Sequence, residues 1–269
     1  TALACGTALA APTGKPGPAP SKPVSLDASD FKPTSGCEKL EGYDPQWANH
    51  GDDYGLNQPE AKADKPKGDK DKKPQYVWGF YQMHEHDGTL YAAFGGKMAR
   101  NITPGALVAL DADTLALKNT IKLPFATHAL ALSQDGERAI ATHTYVNAFS
   151  LVNLADGKIT CRKADTDVKG QKYRGRYVVL DEAGNFYINY NTFAPGKPPS
   201  YLMKYTPEGE HAPGFAVQSI GNGLVIPLAY LDGRVLTGTH GVTAVDPKTG
   251  ATTPLTGMDE GLNVYNYVA

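Results

Sequence analysis

The chain has 269 residues with 29 glycines, 20 prolines and only 9% aromatic residues, a composition typical of many turns and short strands. Its formal net charge of −2 argues against a general nucleic-acid binder, because such proteins usually carry a basic excess. No apolar run of about 18 residues occurs, so the sequence predicts no membrane-spanning helix.

Residues 1–11 are small and mostly apolar, and Ala8-Leu9-Ala10 fits an A-x-A cleavage site. This pattern predicts the end of a secretory signal peptide whose beginning is missing. The sequence therefore indicates a periplasmic or secreted protein. A lipoprotein signal ending at Cys5 and an ordinary alanine-rich terminus remain alternatives.

Export has a consequence for the three cysteines. Removal of Cys5 with the signal leaves Cys37 and Cys161, an even pair in an oxidising compartment. We expect them to form a disulfide that pins the N-terminal segment to the second repeat. Two separate thiols are the alternative.

Residues 12–75 are rich in proline, lysine and aspartate and poor in β-branched residues. The charged tract 62–73 cannot bury a core, so we interpret this segment as a disordered, solvated linker. The aromatic stretch 42–54 can dock on a folded domain. Within it, His50, Asp52 and Asp53 resemble a metal-ligand cluster only loosely, and a solvated loop is the simpler interpretation.

A repeat begins at residue 76. The glycines Gly88, Gly136, Gly184 and Gly233 recur at spacings of 48, 48 and 49 residues, each between two apolar segments. A glycine turn between apolar runs predicts a β-hairpin. The segments predicted as the first strand of each repeat are 78–83, 128–132, 177–180 and 224–230. The second strands are predicted at 89–94, 138–142, 186–190 and 234–238.

A third and a fourth strand follow in each repeat. The third strands are predicted at 106–111, 149–153, 201–205 and 242–246, each followed by a polar turn. The fourth strands are predicted at 117–123, 158–162, 216–219 and 252–255. Four short antiparallel strands at a period in the high forties are typical of a β-propeller blade. The sequence thus predicts an all-β domain at 76–269, holding blades 1–4 and, at 261–269, the start of a fifth.

Four segments carry a family resemblance: 79–94, 105–115, Ala-Leu-Ser-Gln-Asp-Gly at 131–136 and Val-Asp-Pro-Lys-Thr-Gly at 245–250. They resemble the YncE-like family of bacterial periplasmic YVTN-type propellers. The resemblance covers residues 77–269. It implies a seven-bladed propeller, of which this chain would be an N-terminal fragment. A closed four-bladed propeller is the alternative.

Blade topology divides the loops between two faces. The loops joining strands 2 and 3, together with the links between blades, lie on one face, which we call the variable-loop face. The short hairpin turns lie on the other, the turn face. Because variable loops on a rigid repeat are the usual place for binding, we expect a ligand on the variable-loop face. The candidate ligand-binding residues are His128, His143, Arg176, Asn191 and His240, with Lys172 and Arg174 from the basic segment 169–176.

Three of these candidates, His128, His143 and His240, suggest a metal or anion site, since imidazoles bind zinc, copper or nickel. The alternative is that they hydrogen-bond strand ends. The basic segment 169–176 suggests a site for phosphate, an anionic polymer or single-stranded nucleic acid, with a solvated loop as the alternative. His84 and His86 share one side of a strand on the turn face, a spacing that also suits a metal, although an exposed turn is the simpler interpretation.

The sequence contains no G-x-S-x-G, P-loop, H-E-x-x-H or C-x-x-C-H motif. Our leading interpretation is therefore a non-catalytic scaffold that binds a small ligand or a protein partner. The resemblance also suggests an alternative, a propeller subunit of an oxidoreductase similar to the amine dehydrogenases. A third possibility, based on the histidines alone, is metal handling linked to envelope uptake. No cofactor can be named from the sequence.

Overall fold

The computed structural model describes residues 34–40, 82–94, 105–144, 146–164, 166–168, 171–191, 200–212, 215, 218–219, 228–237 and 242–255. Every regular element in these ranges is a β-strand. None of the described residues forms a helix long and apolar enough to cross a membrane. The segments 1–33, 41–81 and 256–269 lie outside the described residues, and with them the predicted signal segment, the charged tract, His50, Asp52 and Asp53, and the predicted start of a fifth blade.

The first short strand is β1 (Ser35–Gly36), which precedes the repeats. Blade 1 consists of β2 (Met83–His86), β3 (Thr89–Phe94), β4 (Gly105–Asp111) and β5 (Leu117–Leu123). Blade 2 consists of β6 (Ala129–Leu132), β7 (Arg138–His143), β8 (Ala148–Asn153) and β9 (Ile159–Lys163), with β1 as a fifth strand paired to β9.

A small two-stranded ribbon, β10 (Asp167–Val168) and β11 (Gln171–Lys172), links blades 2 and 3. Blade 3 consists of β12 (Arg174–Leu180), β13 (Phe186–Asn191), β14 (Tyr201–Tyr205) and β15 (Gln218–Ser219). Blade 4 consists of β16 (Leu228–Leu231), β17 (Arg234–Thr237), β18 (Thr243–Val245) and β19 (Thr252–Pro254). Each blade is antiparallel throughout, with its strands side by side in chain order.

The recurring glycine of the repeat has a conformational cause. In blades 1 and 4 the inner hairpin is closed by two residues with positive φ, 45° and 67° at Asp87 and Gly88 and 49° and 71° at Asp232 and Gly233. Two left-handed residues in a row form a type I′ turn, whose twist matches that of the flanking strands. The Asp-Gly pair therefore fixes the register of these two hairpins.

The blades are arranged as in a propeller. Their innermost strands contact one another in sequence, β2 with β6, β6 with β12, and β12 with β16. Apolar clusters fill the spaces between consecutive sheets, one between blades 1 and 2, one between blades 2 and 3, and one between blades 3 and 4. The predicted all-β propeller fold of four-stranded antiparallel blades is confirmed.

The core between blades 2 and 3 is aromatic. Phe149 packs edge-to-face on Phe186 and on Tyr205, with ring centroids 5.2 and 5.0 Å apart. The hydroxyl oxygens of Tyr205 and Tyr190 lie 2.6 Å apart, so one phenol donates a hydrogen bond to the other inside the core. Burial raises the pKa of both tyrosines well above the usual range, so both hydroxyls stay protonated.

Residues 34–40, which we call the strap, lie within the segment predicted as a linker, and the structure docks them on the outer edge of blade 2. Cys37 and Cys161 form a disulfide across a sequence separation of 124 residues. The strap also reaches blade 3, where the Thr34 hydroxyl donates to the carbonyl oxygen of Gly209 at 2.9 Å and to the Glu210 carboxylate at 3.0 Å. Glu210 in turn pairs with Arg162 of β9 at 3.2 Å.

Candidate functional site

The variable-loop ends of blades 2 and 3 are joined by a buried polar network, which we call the latch, formed by Thr144, Asn147, Thr166 and Gly175. Asn147 follows β7 with a positive φ of 54° and is only 6% exposed. Its Nδ2 donates to the carbonyl oxygen of Ala164 and to Thr166 Oγ1, both at 2.7 Å. Asparagine suits this position because it tolerates the left-handed region better than most residues.

The latch also holds the start of the inner strand of blade 3. The backbone N–H of Gly175 donates to Asn147 Oδ1 at 3.3 Å, and the carbonyl oxygen of Gly175 accepts from Thr144 Oγ1 at 2.7 Å. Thr166 Oγ1 donates to the carbonyl oxygen of Tyr173 at 2.7 Å. The backbone on both sides of Arg174 is therefore held by hydrogen bonds from blade 2 and from the link that follows it, which give side chains at this edge a rigid base.

Asn147→Ala is expected to lower the free energy of unfolding by about 3 kcal/mol, because it leaves buried latch groups without partners and places alanine in the left-handed region. Asn147→Gly separates the two effects, since glycine accepts the backbone and loses only the amide, and we expect a smaller loss. Urea unfolding measures both. The matched control is Asn119→Ala, at an exposed position of β5. Equal midpoints for Asn147→Ala and this control would contradict the role of the latch.

Two of the predicted basic residues lie at this edge. Arg174 begins β12, where it pairs with Asn191 of β13, and its Nη1 donates to the carbonyl oxygen of Tyr173 at 2.9 Å. Arg176 lies where the register of β12 shifts against β13, and its carbonyl oxygen accepts from Thr142 Oγ1 of blade 2 at 2.5 Å. Both arginine side chains are partly exposed. The irregular register is typical of a β-bulge, which redirects side chains next to functional sites.

His128 lies beside Arg176. Its ring packs edge-to-face on Tyr177, with centroids 5.6 Å apart. Burial, together with the positive charge of Arg176, lowers the pKa of His128 to about 4. The imidazole is therefore neutral at pH 7. It adds a polar ring to this edge but no charge.

His143 does not lie where the sequence predicted. We expected it to bind a ligand at the variable-loop face, but the residue is 0% exposed. One ring nitrogen, Nε2, lies 2.8 Å from Ser150 Oγ, and the other, Nδ1, lies 3.3 Å from the carbonyl oxygen of Ala126. Burial lowers the pKa of His143 to about 4. With both nitrogens engaged inside blade 2, the ring has no free position for a metal or a ligand, and the strand-end alternative describes it better.

The other candidates are Asn191, Lys172 and His240. Asn191 is 1% exposed and belongs to the interior of blade 3. The backbone of Lys172 is part of β11, but its side chain lies outside the description, and His240 lies outside the described residues altogether. Of the predicted set, the structure therefore brings together His128, Arg174 and Arg176 at the start of β12.

The described residues contain no group of three or more His, Cys, Asp or Glu side chains that could hold a metal ion. His84 and His86 instead fasten blade 1 to blade 2. His84 Nε2 donates to the carbonyl oxygen of Leu130 at 2.7 Å, and the His86 ring lies against Gly136. Burial lowers the pKa of His84, which keeps that ring neutral at pH 7.

The sequence missed two residues that shape this edge, Asn147 and Tyr177. A glycine or asparagine after a strand is the usual signal for a left-handed residue, and Asn147 carries that signal. Tyr177 was predicted only as the first residue of an apolar strand. Its contact with His128 joins two neighbouring blades, and contacts between blades cannot be predicted from local sequence.

Comparisons with known proteins support no finer assignment. No protein-family model matches the chain, and no curated protein matches it. Solved structures match at low identity. The chain is similar to a chain of a nidogen/laminin complex, at 16% identity over 64% of this chain and 62% of that chain, with a TM-score of 0.45.

It is also similar to the β-propeller domain of Cps50 (Swd1) from Myceliophteria thermophila, at 13% identity over 67% of this chain and 57% of that one, with a TM-score of 0.43. The WD40 domain of coronin from Toxoplasma gondii matches at 11% identity over 65% and 44%, also with a TM-score of 0.43. The chain thus spans less than two thirds of each of these structures. The propeller assignment itself rests on the sheets and the contacts between their inner strands.

Proposed function

We propose that the chain is an exported β-propeller scaffold of the YncE-like type, and that it binds an anionic ligand or partner at the variable-loop face. The observation that carries the proposal is the pair of partly exposed arginines, Arg174 and Arg176, on a strand end that the latch holds rigid. Guanidinium groups bind carboxylate, phosphate and sulfate oxygens with directed pairs of hydrogen bonds.

Rigidity supports the proposal as well. A binding group held in place loses little conformational entropy when the ligand arrives. Thr166 in the link after blade 2 holds the backbone of Tyr173, and Thr144 of blade 2 holds that of Gly175. The bulge at Arg176 directs that side chain independently of the regular pleat. The His128 ring beside Arg176 is neutral and adds no charge to this edge.

The disulfide supports export. Disulfides persist in oxidising compartments and are rare in the reducing cytosol. The bond between Cys37 and Cys161 closes the strap onto blade 2, and Thr34 extends the strap to blade 3. A periplasmic or secreted location agrees with this bond and with the apolar segment at 1–11.

The test uses heparin as a polyanionic probe. We expect the affinity of the chain for a labelled heparin oligosaccharide to fall with salt, because bound arginines displace counterions. The double variant Arg174→Gln/Arg176→Gln is expected to reduce the slope of log affinity against log salt by about 2, one for each lost contact. Fluorescence anisotropy at several salt concentrations measures it.

The matched control is Arg234→Gln, which removes an exposed arginine from the turn face of blade 4. It should leave the slope unchanged. An equal effect from Arg234→Gln would assign the attraction to overall charge and contradict a site on blade 3. An unchanged slope in the double variant would contradict the proposed site directly.

A further inference from the structure

A cleft of about 230 Å³ lies between blades 2 and 3 on the turn face, the side that the sequence assigned to turns alone. Its walls come from the hairpin ends of both blades. Residues of β7, β8 and the turn after β8 form one wall, and the end of β12 and the turn after β14 form the other. The lining residues that matter here are Arg138, Ile140, Leu151, Lys158, Leu180 and Pro207.

The floor of the cleft is apolar. Ile140 and Leu180 are buried members of the core between blades 2 and 3, and Leu151 packs against the same core. A dry cavity of about 150 Å³ holds a benzene molecule, and pockets for drug-sized ligands begin at about 300 Å³. The cleft therefore has room for one ring, or an alkyl chain of similar volume, with a small polar group attached.

Two cations stand at the mouth. Within the described part of the chain, neither Arg138 nor Lys158 donates a side-chain hydrogen bond or forms an ion pair. The Asp135 carboxylate interacts electrostatically with Arg138, but its Oδ1 accepts hydrogen bonds from the Ser133 hydroxyl and from the backbone N–H of Glu137. The mouth of the cleft thus combines an apolar floor with two positive charges that form no ion pair among the described residues.

A glycine of blade 3 leaves room for the Arg138 side chain at the cleft. Gly184 has a φ of +77°, and the guanidinium of Arg138 occupies the space that a Cβ at Gly184 would need. Any other residue would be strained in that conformation and would also push the guanidinium away. The glycine of one blade therefore leaves space at the cleft for the guanidinium of the other.

We propose that this cleft binds a small amphipathic carboxylate, with its apolar body on Ile140, Leu151 and Leu180 and its carboxylate between Arg138 and Lys158. A carboxylate matches the planar donor fork of a guanidinium, and the second cation compensates its charge. The volume limits the ligand to about the size of benzoate. This site lies on the face opposite Arg174 and Arg176 and is independent of the function proposed for them.

The test is calorimetric titration of the whole chain at pH 7 with three probes. Benzoate carries both features, acetate carries only the charge, and benzyl alcohol carries only the apolar body. We expect benzoate to bind with one site per chain and at least tenfold more tightly than either of the others. Arg138→Gln and Lys158→Gln are each expected to weaken benzoate binding about tenfold, as lost charge-assisted hydrogen bonds do.

Two further variants serve as a control and as a test of the cleft itself. Lys248→Gln changes an exposed lysine in the corresponding turn of blade 4 and should leave benzoate affinity unchanged. Thr160→Trp, at an exposed position on the rim of the cleft, fills it without cutting into the core and should abolish binding. The proposal is overturned if benzoate gives no heat of binding, if acetate or benzyl alcohol binds as tightly, or if Thr160→Trp binds like the wild type.

Discussion

Lowering the pH from 7 to 4.5 is expected to reduce the free energy of unfolding by about 5 kcal/mol through His128 and His143 alone. Burial lowers the pKa of each imidazole from 6.5 to about 4 in the folded chain, with the Arg176 charge adding to the effect on His128. Between these values the unfolded chain binds protons that the folded chain does not. The stabilisation is therefore complete above pH 6.5 and is lost as the pH falls towards 4.

The size of the expected loss in unfolding free energy follows from the linkage between proton binding and folding, at about 2.5 kcal/mol for each histidine between pH 7 and pH 4.5. The pKa values of His84 and His211 are also lowered by burial, so both add to the same trend. Urea unfolding at pH 7, 6, 5 and 4.5 measures it. Because the readout is the slope against pH, a variant that is less stable at every pH still tests the prediction.

In the His128→Gln variant the slope should fall by the share of one histidine. The matched control is Asp111→Asn. Its backbone hydrogen bond from Thr114 lowers the pKa of Asp111 to about 2, so this carboxylate titrates below the range tested. A slope that is the same in His128→Gln, Asp111→Asn and the wild type would contradict the buried neutral state of His128.

Loss of the disulfide is expected to cost about 4 kcal/mol of unfolding free energy. Cys37 and Cys161 are separated by 124 residues, and cross-links that close long loops remove the most entropy from the unfolded chain. The double variant Cys37→Ser/Cys161→Ser, made in a Cys5→Ser background, should shift the urea midpoint downward. The Cys5→Ser variant alone is the control and should unfold at the wild-type midpoint.

The same variant has a local consequence. Without the bond, the two-residue pairing of Ser35 and Gly36 with β9 is too short to hold the strap, and the outer edge of blade 2 loses its cover. Hydrogen exchange should become faster at Arg162 and Lys163, while β12 keeps its protection. Unchanged exchange at these two residues would show that Thr34 and the β1 pairing hold the strap without the disulfide.

The sequence was informative where a local rule fixes the structure. The strands predicted at 89–94, 117–123 and 201–205 match β3, β5 and β14 in both bounds. The hairpin glycines indicated the register because left-handed turns favour glycine, and one such glycine lies in the inner hairpin of every blade. The inner strand of blade 3 was predicted from Tyr177 but begins at Arg174, because the bulge interrupts the apolar pattern there.

The site was harder to predict. Most residues of β7 are buried, since blades cover the sheet on both sides, so its sequence shows no alternation that tells inward from outward side chains. His143 and Thr142 are neighbours on that strand, yet one packs on Phe125 and the other bonds to Arg176 of blade 3. A polar residue at a strand end suggested a ligand-binding role, but the His143 side chain forms its contacts inside blade 2.

The sequence by itself determined the repeat, the four strands that each repeat contributes to its blade and the position of the hairpin turns, because period and turn chemistry are local properties. It also pointed to the cysteine pair, by parity. Tertiary structure alone decided which polar side chains remain accessible, because burial at each strand end depends on the blade beside it. For the same reason only the packed blades show the cleft on the turn face, where Gly184 of one blade leaves room for the Arg138 guanidinium of the other.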